Sequence, residues 1–263
     1  EVMSPGVPVQ GDQGTVPDHD DFSLNGGAGD EPFSLSMWIW GSDLNQENIQ
    51  PLLRKGGIAV ETAPGPAGAE WILFMKDKRL YWIVYDTNQV AWYKRSVLIG
   101  DQMSGSWAHV LLTYKGDNEG STNPHEETRF YLDGEDVTDT SGAGSGSSSA
   151  SAQAYFASPK GAKELDVGFT SSPEPAWFNG AIDDVTISRG YVLPFMLPSM
   201  TVGDTQCGVD LSVMPVFGMN LVAFWRFEDL GSGADESESL IDGHVMSFTH
   251  TPEPWDSPCS LVP

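Results

Sequence analysis

The sequence predicts an all-β chain folded as a sandwich or a barrel. Three observations carry this. Short runs rich in aromatic residues alternate polar and apolar side chains or are apolar throughout, turn residues separate them at short intervals, and no dozen-residue window keeps a 3.6-residue apolar stripe without Gly or Pro. At 263 residues the chain can bury a core as one large domain or two modest ones.

Residues 1–32 hold Pro5, Pro8, Pro17, several glycines and scattered carboxylates, with no apolar period, and read as an extended arm. From Phe33 the pattern is β. Phe33-Ser-Leu-Ser-Met-Trp-Ile-Trp40 alternates at first and then turns aromatic on both faces, as expected of a strand covered on two sides. Further strands are expected at Leu52 to Val60 with a break at Gly56-Gly57, Trp71 to Met75, Leu80 to Tyr85, and Val90 to Val97. Others follow at Trp107 to Tyr114, Arg129 to Leu132, Leu165 to Phe169 and Ala181 to Ser188. Asp86-Thr-Asn88, Gly100-Asp101 and Asp133-Gly134 punctuate them, the last an Asp-Gly hairpin step. Gly116 to Glu127 and the Ser/Gly/Ala-rich Ser141 to Ala152 read as surface loops. The Ser-rich loop reads as a flexible connection, with O-glycosylation the alternative. Asn-x-Ser/Thr is absent, so N-linked sugar is not expected.

Thirteen Lys plus Arg against 37 Asp plus Glu give a net charge of −24. Nucleic acid and anionic membrane surfaces require clustered cations, so this balance argues against both and leaves cations as the natural small partners. No 18-residue apolar run exists to insert into a membrane. The chain opens on Glu1 without a charged-then-apolar leader, as expected of a trimmed product or a piece of a longer polypeptide. Cys207 and Cys259 lack Cys-x-x-Cys spacing, and one disulfide is the simplest reading, two separate buried thiols the alternative.

Six segments in order carry a family resemblance: Phe33 to Trp40, Leu53-Arg-Lys-Gly56, Gly105 to Tyr114, Phe130 to Val137, Leu165 to Gly168, and Phe178 to Ile187. In this order they resemble the laminin-G-like, concanavalin-A-like jelly roll over residues 33–190. The resemblance implies a two-sheet antiparallel sandwich with the Trp107-Ala-His strand at a sheet centre. Leu221-Val-Ala-Phe-Trp-Arg-Phe-Glu-Asp-Leu-Gly, then Asp235, Gly243 and Trp255-Asp-Ser-Pro258, resemble the segment that opens such domains or links them in large secreted repeat proteins. Residues 191–219 would be a connection. Residues 220–263 would either complete this sandwich or begin a following unit.

Glucanases of this shape carry Glu-x-Asp-x-x-Glu on one strand, which the chain lacks. Glu228-Asp229 and Asp235-Glu-Ser-Glu238 lie in turn-like sequence, poorly placed for acid and base work. His109 alternates on a strand and reads as a core or half-buried side chain, and no local Ser-His-Asp support appears. Hard cations prefer oxygen, so calcium is the expected ion, at Asp183, Asp184 and Asp235 in particular, with Glu228 and Asp229 as further candidates. Strand alternation places one of Asp183 and Asp184 inward and one outward. Asp18, Asp20 and Asp21 could also offer oxygens to such a cation, but they read first as a solvated charge run. Tyr85, Trp92, Tyr93 and Trp177, with Tyr81, could offer rings to a sugar, although core packing competes for them.

The first functional expectation is a non-catalytic extracellular or cell-surface module, structural or adhesive. It would contact other copies or other subunits of an assembly through residues 1–32 or 195–263, and a virion surface would suit it equally. A stand-alone calcium-dependent glycan-binding domain is the alternative, and a divergent glycosidase the third.

Overall fold

The structure is a computed structural model. It describes residues 14–24, 30–41, 47–56, 69–85, 92–100, 105–116, 128–139, 147–148, 163–170, 176–191, 220–225, 236–238 and 244–248. Among the described residues, seventeen strands follow in chain order. The first ones are β1 (Gly14–Val16), β2 (Phe33–Gly41), β3 (Gln50–Lys55), β4 (Trp71–Lys76), β5 (Arg79–Tyr85) and β6 (Trp92–Leu98). Next come β7 (Trp107–Tyr114), β8 (Thr128–Leu132), β9 (Glu135–Asp136), β10 (Ser147–Ser148), β11 (Leu165–Val167) and β12 (Phe169–Thr170). The chain continues through β13 (Ala176–Trp177), β14 (Gly180–Arg189), β15 (Asn220–Trp225), β16 (Glu236–Glu238) and β17 (Val245–Phe248). A short 3-10 turn at Asp20–Phe22 is the one helical element among the described residues.

Two antiparallel sheets form. One has nine strands in the order β10-β6-β5-β4-β3-β11-β1-β17-β16, the other six in the order β15-β14-β2-β7-β8-β9. The barrel alternative is therefore set aside in favour of a jelly-roll sandwich. Every second residue of β2 and β7 faces the space between the sheets: Phe33, Leu35, Met37 and Ile39 join Ala108, Val110, Leu112 and Tyr114 in the core. From the larger sheet Trp71, Leu73 and Met75 of β4 and Leu80, Trp82 and Val84 of β5 meet them. Period-2 alternation thus becomes one dry layer. As expected, β7 lies inside its sheet, between β2 and β8.

Several boundaries differ from the sequence reading for identifiable reasons. β3 ends at Lys55, where Gly56 turns the chain with φ +86°; residues 57–60 lie outside the described residues. The strand expected over Leu165 to Phe169 breaks at Gly168, φ +73°, and Phe169–Thr170 pairs with Ala176–Trp177 in a separate two-stranded sheet. Asp133 and Gly134 take φ +48° and +83°, both positive as the tight hairpin turn requires. Asp77 and Lys78 do the same at +50° and +60° between β4 and β5, a turn without the Gly that would have flagged it. Ser147–Ser148, inside the segment read as a flexible loop, pairs with β6.

The larger correction concerns the ends of the chain. The segment read as an extended arm contributes β1, which pairs with both β11 and β17, and its Val16, Phe22 and Leu24 are core residues. Three apolar residues spread through a polar stretch have no period, yet each is fully covered. β15 pairs with β14 at the edge of the six-stranded sheet, so in this chain that segment completes the sandwich it follows. Nor is Asp18-x-Asp-Asp simply a solvated run: Asp18 pairs with the buried Lys55, whose ammonium also donates to the Lys163 carbonyl.

Register in this region is held by charge. Asp166 of β11 lies opposite both Thr15 of β1 and Arg54 of β3; it accepts from Thr15 Oγ1 at 3.2 Å and pairs with Arg54. Burial raises the Asp166 carboxyl above its ordinary value, and the Arg54 guanidinium opposes that shift. A slip of one residue would leave both charges buried without a partner.

Trp225 is fully buried; its indole N–H donates to the His244 carbonyl at 3.0 Å, and its ring lies 6.0 Å from that of Phe22. Trp225→Ala should cost about 3–5 kcal/mol, read as a lowered urea midpoint. Leu98→Ala, at a side chain 58% exposed, should stay within about 0.5 kcal/mol. Equal effects of the two would contradict this placement of the core.

Candidate functional site

The outer face of the six-stranded sheet gathers side chains with binding chemistry. On β2 the residues that do not face the core are Ser34, Ser36, Trp38 and Trp40; on β7 they are Trp107, His109, Leu111 and Thr113. Strand pairing sets Trp40 directly opposite Trp107 and Trp38 opposite His109. The three indoles are half-buried, whereas Ser34, Ser36, His109, Leu111 and Thr113 are buried. One end of the face therefore offers rings to solvent. Gly180 of β14 closes this end: a Cβ there would come 1.9 Å from the Trp40 carbonyl oxygen, so the backbones meet only because the residue is Gly.

His109 sits beneath the patch. Its Nε2 is 2.7 Å from Ser36 Oγ, its ring centroid is 5.3 Å from that of Trp38, and its backbone N–H donates to Asp133 Oδ1 at 2.8 Å. Burial lowers its pKa from 6.5 to about 4, because a charged ring there would lose its water. It is a buried histidine of the sheet's outer face, not of the layer between the sheets; the sequence reading expects a core or half-buried side chain.

Asp183 and Asp184 lie on the neighbouring strand, where the β14–β2 register shifts between Asp183 and Thr186. Simple alternation fails at this bulge: both carboxylates are buried, and Asp184 takes φ +48°. The Asp184 N–H donates to Asp183 Oδ1 at 2.8 Å, and Thr186 Oγ1 donates to the Asp184 carbonyl at 3.4 Å. Asp183 lies opposite Trp38. Two adjacent carboxylates at a kinked backbone supply the oxygen donors a hard cation takes, and a calcium shell of six to eight oxygens would need others besides.

The remaining expected residues divide. Tyr85 is buried with Ala69, Ile72, Phe74 and Ile83 in a second cluster on the outer side of the nine-stranded sheet, so it is no ligand platform. The sequence shows that this strand has two apolar sides; it does not show that both are covered. Trp177 is half-buried, its ring 5.3 Å from that of Phe169 in the two-stranded sheet. Trp92 and Tyr93 lie on β6, pairing with Tyr85 and Val84, and their side chains are outside the described residues. Asp235, Glu228, Asp229, Cys207 and Cys259 are outside them as well. Trp38, Trp40 and Trp107 were legible as strand residues but not as a site, because alternation assigns a face without saying how much of it is open.

Against known proteins, residues 10–193 match the family described as the concanavalin A-like lectin/glucanases superfamily. The chain belongs to that superfamily. Among solved structures, a candidate carbohydrate-binding protein from Bacteroides ovatus shares 12% identity at a TM-score of 0.51, over 94% of this chain and 62% of its own. This chain thus spans less than two thirds of that protein's length, and the likeness is one of fold. The botulinum neurotoxin serotype G binding domain gives 13% identity and a TM-score of 0.47, over 71% of this chain and 39% of its own. The serotype D ligand-binding domain, in complex with N-acetylneuraminic acid, gives 17% and 0.41, over 66% and 37%. No curated protein matches the chain.

The His109 environment carries a pH dependence. A histidine depressed in the folded state contributes stability that is present above about pH 6.5 and lost as pH falls towards about 4, because only the unfolded chain takes up the proton in that window. The loss should approach about 3 kcal/mol. In urea titrations at pH 7 and pH 4, His109→Gln should show a smaller pH-dependent loss than the native chain; identical losses would refute the assignment.

Proposed function

We propose that this domain is a non-catalytic binding module whose ligand is a glycan stacked on Trp38, Trp40 and Trp107. The observation that carries the reading is the placement of three partly exposed indoles on one sheet face, two of them directly opposite each other. Indole rings bury apolar faces while leaving polar groups wet, which suits the C–H-rich face of a sugar ring. Superfamily membership agrees with a lectin-type role. A net charge of −24 disfavours acidic sugars, so neutral glycans are the expected class. The non-catalytic part of the reading rests on the missing Glu-x-Asp-x-x-Glu strand.

The assembly reading loses ground for a structural reason. Gly14–Val16, Asn220–Trp225 and Val245–Phe248, from the segments expected to reach neighbours, are committed to strand pairing within this chain.

Screening neutral glycans on an array, followed by calorimetry on a hit, tests the proposal. Trp40→Ala and Trp107→Ala should each weaken binding about ten-fold, or about 1.4 kcal/mol, with melting temperatures close to that of the native chain. Native affinity in both variants, or no glycan bound at all, would overturn it.

Calcium at Asp183 and Asp184 is a second part of the proposal. The ion would neutralise two buried neighbouring carboxylates and fix the bulge beside Trp38, supporting the patch from below. Calcium added to chelator-treated protein should raise the melting temperature. Asp183→Asn, which keeps an acceptor for the Asp184 N–H, should abolish that rise. Melting that ignores calcium in the native chain would remove the ion from the account.

A further inference from the structure

His19, Asp21 and His244 come from opposite ends of the chain and meet beside the seam where β1 pairs with β17. One donor atom from each lies within 4.8 Å of the others. His19 Nδ1 is 3.0 Å from Asp21 Oδ2, and His244 Nε2 is 3.8 Å from the same oxygen. The Asp21 N–H also points at Nδ1, at 3.3 Å, a long contact that a metal on that nitrogen would replace. An imidazole lone pair and a carboxylate oxygen facing each other at 3.0 Å repel unless a proton or a cation lies between them. A metal ion satisfies all three.

We propose that His19, Asp21 and His244 bind zinc(II), joining the N-terminal turn to the last hairpin at a site separate from both the tryptophan patch and Asp183. The donor set selects the metal. Two imidazoles and one carboxylate suit a borderline transition ion, whereas calcium takes an all-oxygen shell. Ligand bonds of about 2.0–2.2 Å in a tetrahedral shell put donor atoms about 3.3–3.6 Å apart, between the two separations to Asp21 Oδ2 found here. The site has a firm wall and an open side. His244 packs against Phe22 with ring centroids 4.7 Å apart, and its carbonyl holds the Trp225 indole. The side chains of His19 and Asp21 are 50% and 39% exposed, leaving room for a water as fourth ligand. Binding would cross-link two segments far apart in sequence, so part of its free energy becomes folding stability.

The full chain, stripped with chelator, is titrated with zinc chloride by calorimetry and by melting, and cobalt(II) is then used as a spectroscopic probe. One zinc per chain is expected, with a melting temperature that rises with zinc concentration and persists in excess calcium. Cobalt should show a tetrahedral visible spectrum without the charge-transfer band of a thiolate, which separates this site from Cys207 and Cys259. His19→Asn keeps a cap acceptor for the Asp21 N–H and removes the imidazole; it, Asp21→Asn and His244→Gln should each weaken binding by more than about ten-fold. His125→Gln should leave binding unchanged. No zinc bound at micromolar concentration, native affinity in the His19 and Asp21 variants, or a thiolate band with cobalt would each overturn the proposal. Because His19 is half exposed, its variant tests the site even if His244→Gln destabilises the fold.

Discussion

The sandwich depends on sealing the layer between its sheets at the end where the Asp20–Phe22 turn and the strand Val245–Phe248 meet, and Trp225 does this. Its ring hangs from the edge strand of the six-stranded sheet into the core, Phe22 of the N-terminal turn packs beside it, and its N–H is satisfied by the carbonyl that leads into β17. One side chain thereby links three segments that are far apart in sequence. A tryptophan buries about 150–250 Å², worth about 4–6 kcal/mol at ~25 cal/mol per Å² before entropy is counted. Without that contact β1, β15 and β17 would keep their backbone pairing and the smaller core side chains Val16, Val222 and Met246, with loop-closure entropy working against them.

Polar groups around this seam then have to be matched one for one. Asp166 answers Arg54 and Thr15, Asp18 answers Lys55, and Arg189 of β14 pairs with Glu31 while donating to the carbonyls of Asp20 and Ser23. Each pair joins the N-terminal segment or a strand beside it to the body of the sandwich. Apolar burial supplies the driving force, and these pairs select the register in which it is collected. The cluster of His19, Asp21 and His244 lies on the same seam, so a metal there would strengthen the closure that the aromatic contact begins.

The parts of the fold that were legible in sequence are those where one rule dominates. Phe33 to Trp40 and Trp107 to Tyr114 read as strands from their apolar, aromatic-rich runs, the central place of the second was what the family resemblance implied, and Asp133-Gly134 named its own turn. Asp77-Lys78 was invisible as a tight turn because Lys stands where Gly would have flagged it; the pairing of β4 with β5 imposes the positive φ. Val16, Phe22 and Leu24 escaped notice because burial of isolated residues is a tertiary fact. The candidate site was half legible for a related reason. Sequence placed the indoles on strands and drew attention to Asp183-Asp184, but openness at Trp40, coverage at Tyr85 and the bulge at Asp184 depend on what lies across each sheet.

Native-state hydrogen exchange followed by mass spectrometry addresses the closure most directly. If the termini complete the sandwich, the amides of Gly14–Val16, Val222 to Trp225 and Val245–Phe248 should exchange with free energies close to those of Phe33–Gly41, through global unfolding alone. Exchange in those three segments that is orders of magnitude faster than in Phe33–Gly41, with the central strands still protected, would show that the sandwich stands without them and would contradict the account.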